Sequence, residues 1–218
     1  MGAHFRTVRP SEVAPPPRGH GCSQDAELRH DMGGGTDVDA LFTWMNDHSG
    51  GGDFVVIRAS GADGYNQYVF DLAPFDSVET LVLKNRAASF DPFVLQTINN
   101  AEALFIAGGD QSDYVNNWKG TPVEDAIHAL AARGVPIAGT SAGTAILTEF
   151  VYAAQYKSVT SSEALADPFS RNITLDKDFL DLPYMQLSVT PLRDQITSPA
   201  RPILLVLLAA AAVVFAIA

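Results

Sequence analysis

Apolar positions along this chain fall into two rhythms. From Val38, the run "VDALFTWM" puts Val38, Leu41, Phe42 and Met45 on one helical face. The Gly33–Gly35 turn precedes it, with Thr36 or Asp37 as the expected N-cap. Four other stretches are short, continuously apolar and bounded by turn residues. They predict strands near residues 54–59 ("FVVIRA"), 78–83 ("VETLVL"), 103–107 ("ALFIA") and 135–139 ("VPIAG"). Before the last of these, "TPVEDAIHALAARG" carries a full set of helix signals. Thr121 is the N-cap, Pro122 opens the first turn, Glu124 follows three residues after the cap, and Gly134 closes the helix. "SAGTAILTEF" opens a further helix. Strands apolar throughout, alternating with helices, mark a parallel sheet covered on both faces. The expected fold is a doubly wound, mostly parallel α/β domain.

The two ends break the rhythm. Residues 1–30 include the Pro-rich, aperiodic stretch "RPSEVAPPPRGHG" and are expected to be a loosely attached leader. Residues 31–186 hold the α/β pattern. Residues 187–218 form an atypical tail that closes on the apolar run Pro202–Ala218, near the shortest length that spans a bilayer.

Composition narrows the function classes. The 218 residues, 47% of them apolar, suffice for one domain with a sizeable core. The formal charge of −11 is scattered and leaves no basic stripe, which argues against nucleic acid as a partner. A single cysteine, Cys22, supports neither a disulfide framework nor a cysteine zinc site. Neither a metal nor a cofactor is expected. No secretory pattern opens the chain, so a cytoplasmic location is the expectation, with membrane association through the apolar tail as the alternative.

In sheets of this kind ligands bind beyond the carboxyl ends of the strands. Glycine-rich turns fall at those ends: Ser60-Gly61, Gly108-Gly109-Asp110-Gln111, and Gly139-Thr140-Ser141-Ala142-Gly143. Bare backbone there suits a site that offers N–H groups to a developing negative charge. The last turn is a G-x-S-x-G pattern, which chance alone supplies in roughly one chain in ten, with glycine at about 7%. Its setting between an apolar strand and a helix-forming run is that of a nucleophile elbow. The plainer alternative is a serine that merely caps a helix. Gly108-Gly109 likewise reads either as a plain turn capped by Asp110 or as an oxyanion loop, with Gln111 orienting substrate.

A serine hydroxyl needs a base, usually histidine. Of five histidines, His4, His20 and His30 lie in the leader, His48 at a helix end, and His128 on the polar side of its helix. None follows Ser141.

The motifs "GGGTD", "RASGADGYN", "FIAGGDQ", "GTSAG" and "SVTSSEAL" occur in that order. Between Gly33 and Gln186 the chain resembles the cyanophycinase and peptidase E family of serine peptidases, whose fold is that of the class I glutamine amidotransferases and flavodoxin-like proteins. The resemblance implies that Ser141 is the nucleophile and that the N–H groups of Gly109 and Ala142 form the oxyanion hole. It puts Gln111, with Asp110 and Thr140 beside it, in the substrate site. It makes Glu163 the acid that supports the histidine. The implied reaction is hydrolysis of peptide or isopeptide bonds next to aspartyl residues, including cyanophycin-like polymers, with a homodimer as an assembly to test. After Gln186 the expected Asp-x-His stretch is missing. A shifted reading frame, a membrane tail anchor and a buried helix are the explanations for the tail, the first favoured by the abrupt loss of resemblance. The alternative function is a catalytically impaired fragment or pseudoenzyme without the family histidine.

Overall fold

The computed structural model describes residues 3–4 and 37–182. In chain order the elements are β1 (Ala3–His4), α1 (Asp39–Ser49), β2 (Asp53–Arg58), α2 (Gly64–Leu72), β3 (Ser77–Val82), a 3-10 turn (Arg86–Phe90) and α3 (Pro92–Asn100). There follow β4 (Ala103–Ile106), α4 (Gln111–Trp118), α5 (Pro122–Ala132), β5 (Ile137–Gly139) and α6 (Ala142–Ala145). A final segment holds β6 (Phe150–Tyr152), α7 (Ser161–Ala166) and β7 (Leu175–Lys177). The main sheet runs in the order β1-β3-β2-β4-β5. Its last four strands are parallel, and β1 pairs antiparallel with β3, Ala3 opposite Val82.

The four apolar runs became the four parallel strands, each within about two residues of its predicted bounds. Their side chains explain the double covering. Val55, Ile57, Leu104 and Ile106 point to one face, where Val94 and Ile98 of α3, Trp118 of α4, and Ile127 and Leu130 of α5 pack on them. Phe54, Val56, Ala103 and Phe105 point to the other, against Leu41, Phe42 and Met45 of α1 and Val69 of α2. Burying one such large side chain contributes about 1.5–3 kcal/mol. That outweighs a missing N-cap, which costs about 1 kcal/mol. Helix α1 relies on this. Its N-cap is Val38, which makes no side-chain cap bond, while Phe42 is fully buried 5.1 Å from the Phe105 ring. Asp37, an expected cap, instead accepts from the Tyr65 hydroxyl at 2.7 Å.

Helix α5 begins after Thr121 as expected, but the Thr121 hydroxyl turns back to the Trp118 carbonyl and does not cap the helix. Glu124 accepts from the Gly120 N–H. The helix expected from "SAGTAILTEF" lasts one turn only. Thr148 and Phe150 are poor helix formers. The Thr148 hydroxyl donates to the Phe150 carbonyl at 2.7 Å, and "FVY" pairs antiparallel with Leu175–Lys177. After β7 the chain returns Phe179, Leu180 and Leu182 to the core on the α3–α5 side.

β3 lies to one side of β2 and β4 to the other, so the direction in which strands are added across the sheet reverses after β3. The crevice for a ligand is thereby at the carboxyl ends of β2, β4 and β5. Among the described residues no helix is long and apolar enough to cross a membrane. Most of the expected leader, the Gly33–Gly35 turn and the 187–218 tail lie outside the described residues.

Candidate active site

Ser141 stands where β5 ends and α6 begins. Its backbone has φ 53° and ψ −119°, a conformation that L-residues rarely adopt and that costs about 1–3 kcal/mol. The glycines on either side leave no alternative residue. A Cβ on Gly139 would fall 2.6 Å from the Gly143 carbonyl carbon, and one on Gly143 would fall 2.0 Å from the Ile106 carbonyl oxygen. The turn is pinned by Thr140 N–H to Ile106 O at 3.1 Å, Gly143 N–H to Thr140 O at 2.8 Å, and the Thr144 hydroxyl to Gly139 O at 2.6 Å. Ser141 occupies the N-cap position of α6, yet its side chain makes no cap bond. The capping alternative is therefore not what the serine does. Its hydroxyl is half-buried and has no hydrogen-bond partner among the described residues.

The β4–α4 turn lies directly against it. A Cβ on Gly108 would be 3.3 Å from Ser141 Cβ. The Tyr114 hydroxyl, buried beneath this turn, reaches the carbonyls of Ala107 at 2.7 Å and Gly108 at 3.1 Å. Gly109 is exposed, and its N–H has no backbone acceptor among the described residues. Ala142 supplies the first N–H of α6, which has no intrahelical acceptor. The two residues expected to supply oxyanion donors are thus the neighbours in sequence of Gly108, which lies beside Ser141, and of Ser141 itself.

The other expected site residues are placed as follows. Asp110 caps α4, its carboxylate accepting from the Ser112 N–H at 2.8 Å and the Ser112 hydroxyl at 2.7 Å. Gln111 is the first residue of α4, half-buried beside that cap. Thr140 is buried, with its methyl 3.8 Å from a Cβ built on Gly108. Glu163 closes a capping box on α7, accepting from the Thr160 N–H at 2.8 Å and the Thr160 hydroxyl at 2.9 Å, with Lys157 3.5 Å away. Those two hydrogen bonds, and then the Lys157 charge, hold its carboxyl below the usual range. Neither described histidine of the helices reaches the serine. His48 stacks on Trp44 and bonds its carbonyl at 2.8 Å, and His128 lies 3.3 Å from the Phe179 carbonyl. Among the described residues no cluster of His, Cys, Asp or Glu could hold a metal ion.

One charged group at the crevice went unread in the sequence. Arg58 ends β2, its guanidinium 5.9 Å from the Tyr65 ring and donating to the Ala62 carbonyl at 3.2 Å. Its Nε is buried without an acceptor among the described residues. A Cβ on Gly61 would come within 2.5 Å of Nη2, so the glycine makes room for the guanidinium. The signal available was "RASG", a basic residue at a strand end before a glycine turn.

Tyr65 and Tyr68 of α2 donate to Asp37 and Asp39 across the α1 start. Burial first, then these carboxylates, push both phenols up, Tyr68 to about 12. Burial raises Tyr114 as well, against the opposing Arg58 charge. A phenol whose folded value exceeds its unfolded value near 10.0 gives stability below pH 10 that is lost as pH rises through the folded value. Phenolate absorbance should therefore show Tyr65, Tyr68 and Tyr114 titrating late, with Tyr68 half-ionised near pH 12, and alkaline unfolding should follow it. If neither Tyr65→Phe nor Tyr68→Phe removed a late phase, the tyrosine–carboxylate pairs would be contradicted.

The sequence profile of peptidase family S51 matches residues 70–169, a span that includes the Gly108-Gly109 turn, Ser141 and Glu163. Among solved structures, the chain is similar to the crystal structure of a peptidase from an acI-B1 Actinobacterium, with a TM-score of 0.51 and 16% sequence identity. The match covers 68% of this chain and 62% of the other, so the chain spans less than two thirds of that peptidase's length. At that identity the likeness speaks for the fold. No curated protein sequence matches the chain significantly.

Proposed function

We propose that the chain, whose residues 70–169 match the profile of peptidase family S51, is a serine hydrolase of that family in which Ser141 attacks a peptide or isopeptide carbonyl. The observation that carries this is the Ser141 backbone: a strained serine between two obligatory glycines, with a hydroxyl committed to no other bond among the described residues. As the hydroxyl oxygen bonds to the carbonyl carbon, the carbonyl oxygen becomes an oxyanion. The N–H groups of Gly109 and Ala142 stabilise it, a contribution of about 3–4 kcal/mol per well-placed donor. Collapse breaks the C–N bond: the leaving amine takes up the proton that the Ser141 hydroxyl gives up, and an acyl-serine remains, which water hydrolyses to the free acid and the free serine.

For substrate we infer an aspartyl-containing peptide or a cyanophycin-like polymer, as the family resemblance implies. Arg58 supports an acidic ligand. It is a cation at the strand-end crevice whose buried Nε lacks an acceptor among the described residues, and an unsatisfied buried donor costs about 1–3 kcal/mol until one arrives.

A second function is favoured by a different observation. His48 and His128 are both held by backbone carbonyls away from Ser141. A serine without its histidine loses on the order of 10⁶ in rate, which would make the chain an impaired hydrolase that still binds substrate.

Serine-directed fluorophosphonate separates the two. The hydrolase reacts stoichiometrically at Ser141, seen as a single mass addition on the peptide containing it, and an aspartyl dipeptide protects it better than its asparaginyl counterpart. Labelling no faster than that of the Ser141→Ala chain would favour the impaired form.

A further inference from the structure

We propose that Tyr114 is a positioning residue of the oxyanion hole, holding the Gly108–Gly109 peptide with its N–H turned toward the substrate oxygen. This rests on Ser141 being the nucleophile.

In a trans peptide the C=O of one residue and the N–H of the next point in opposite directions. Whatever holds the Gly108 oxygen inward therefore turns the Gly109 N–H outward. The Tyr114 hydroxyl lies beneath the turn, 2.7 Å from the Ala107 oxygen and 3.1 Å from the Gly108 oxygen. Its one proton is shared between the two oxygens in a three-centre bond, which keeps both carbonyls on the core side. The phenol is fixed. Its ring is fully buried and stacked on Trp118 at 4.3 Å, with the planes 14° apart. Burial pushes its pKa up from the ordinary phenol value, so it stays a protonated donor at neutral pH.

Two consecutive glycines need such an anchor. Glycine visits both halves of the backbone map with little penalty, so a Gly-Gly peptide can rotate. Rotation would put the Gly108 oxygen where the oxyanion forms, exchanging attraction for repulsion. The second glycine is also what lets the anchor in. A Cβ on Gly109 would sit 2.8 Å from the Tyr114 oxygen. A Cβ on Gly108 would lie 3.3 Å from Ser141 Cβ, so the orientation of this one peptide is set close to the reacting serine.

Tyr114→Phe removes the donor and keeps the ring. The maximal rate of fluorophosphonate reaction should fall about 10- to 100-fold, part of the loss that follows removal of an oxyanion donor. The half-saturating inhibitor concentration should change less than about twofold, because ground-state contacts are untouched. Gly109→Ala displaces the hydroxyl from the other side and should lower the same rate while leaving the N–H in the chain. A lower melting temperature with an unchanged maximal rate in both variants would make Tyr114 merely structural and overturn the proposal. Should the parent chain prove unreactive, the serine mechanism fails, and the Gly109 N–H residual dipolar coupling then decides. An altered coupling in Tyr114→Phe supports the anchor, and an unchanged one overturns it.

Discussion

Gly143→Ala should destabilise the domain by at least about 3 kcal/mol and slow the reaction of Ser141 by at least about 100-fold. The added Cβ would lie 2.0 Å from the Ile106 oxygen, 2.7 Å from its carbon and 2.9 Å from the Ala107 oxygen. All three are backbone atoms of the β4 end, so no side chain can rotate away. Either α6 lifts from the sheet or the end of β4 moves. The second route breaks the Thr140 N–H bond to Ile106 O that ties β5 to β4. Overpacking a tight contact typically costs about 1–3 kcal/mol, and a backbone clash with a lost hydrogen bond lies at or beyond the top of that range. For a chain of this size that is a fall of roughly 6–12 °C in melting temperature. Both movements displace Ser141 relative to Gly109, and about 1 Å of misplacement suffices for a 100-fold loss. Gly64→Ala is the control. It opens α2, meets no atom within 4 Å, and should be neutral or stabilising by about 0.4–1 kcal/mol. Equal melting temperatures for the two variants would refute the packing of α6 on β4.

Much of this arrangement is legible in the sequence, for a physical reason. The parallel strands are buried on both faces, so "FVVIR", "VETLV", "ALFI" and "IAG" read as apolar runs whatever their partners. Glycines at strand ends mark close backbone approach, and the structure supplies the atoms approached: Ile106 for Gly143, Ser141 for Gly108 and the Tyr114 hydroxyl for Gly109. What stayed hidden depends on packing between elements distant in sequence. Nothing in "QSDYVNNW" says that the Tyr114 hydroxyl points under the preceding turn. Nor does "DFVVIRAS" say that Arg58 will lie over a tyrosine of α2. The short life of α6 was hidden too, because the strand that recruits "FVY" lies more than twenty residues on. Glu163 is a different case. Thr160-Ser-Ser-Glu163 is a capping-box pattern readable by eye, and the capping box is what forms. Its carboxylate is thereby ionised and occupied on an exposed helix start. Any support it gives to a base would require it to leave Thr160.

Replacing Ser141 by glycine should yield a more stable protein than replacing it by alanine, although neither reacts with fluorophosphonate. Alanine keeps a Cβ at φ 53° and ψ −119°, so it inherits the strain of about 1–3 kcal/mol. Glycine relieves that strain and gives back about 0.4–1 kcal/mol through the freer unfolded chain. The net expectation is about 1–2 kcal/mol in favour of Ser141→Gly over Ser141→Ala, roughly 2–8 °C in melting temperature. The serine hydroxyl itself contributes nothing to the comparison, since it makes no bond among the described residues. The comparison separates two reasons for a serine at this position. A serine kept for capping would lose stability on going to either residue, by about 1 kcal/mol for alanine and a few tenths for glycine. A serine held in strain for reactivity loses all labelling in both variants and gains stability only in the glycine one. Equal stability of the two variants would mean that the turn is relaxed, and the elbow geometry would then no longer support nucleophilic attack by Ser141.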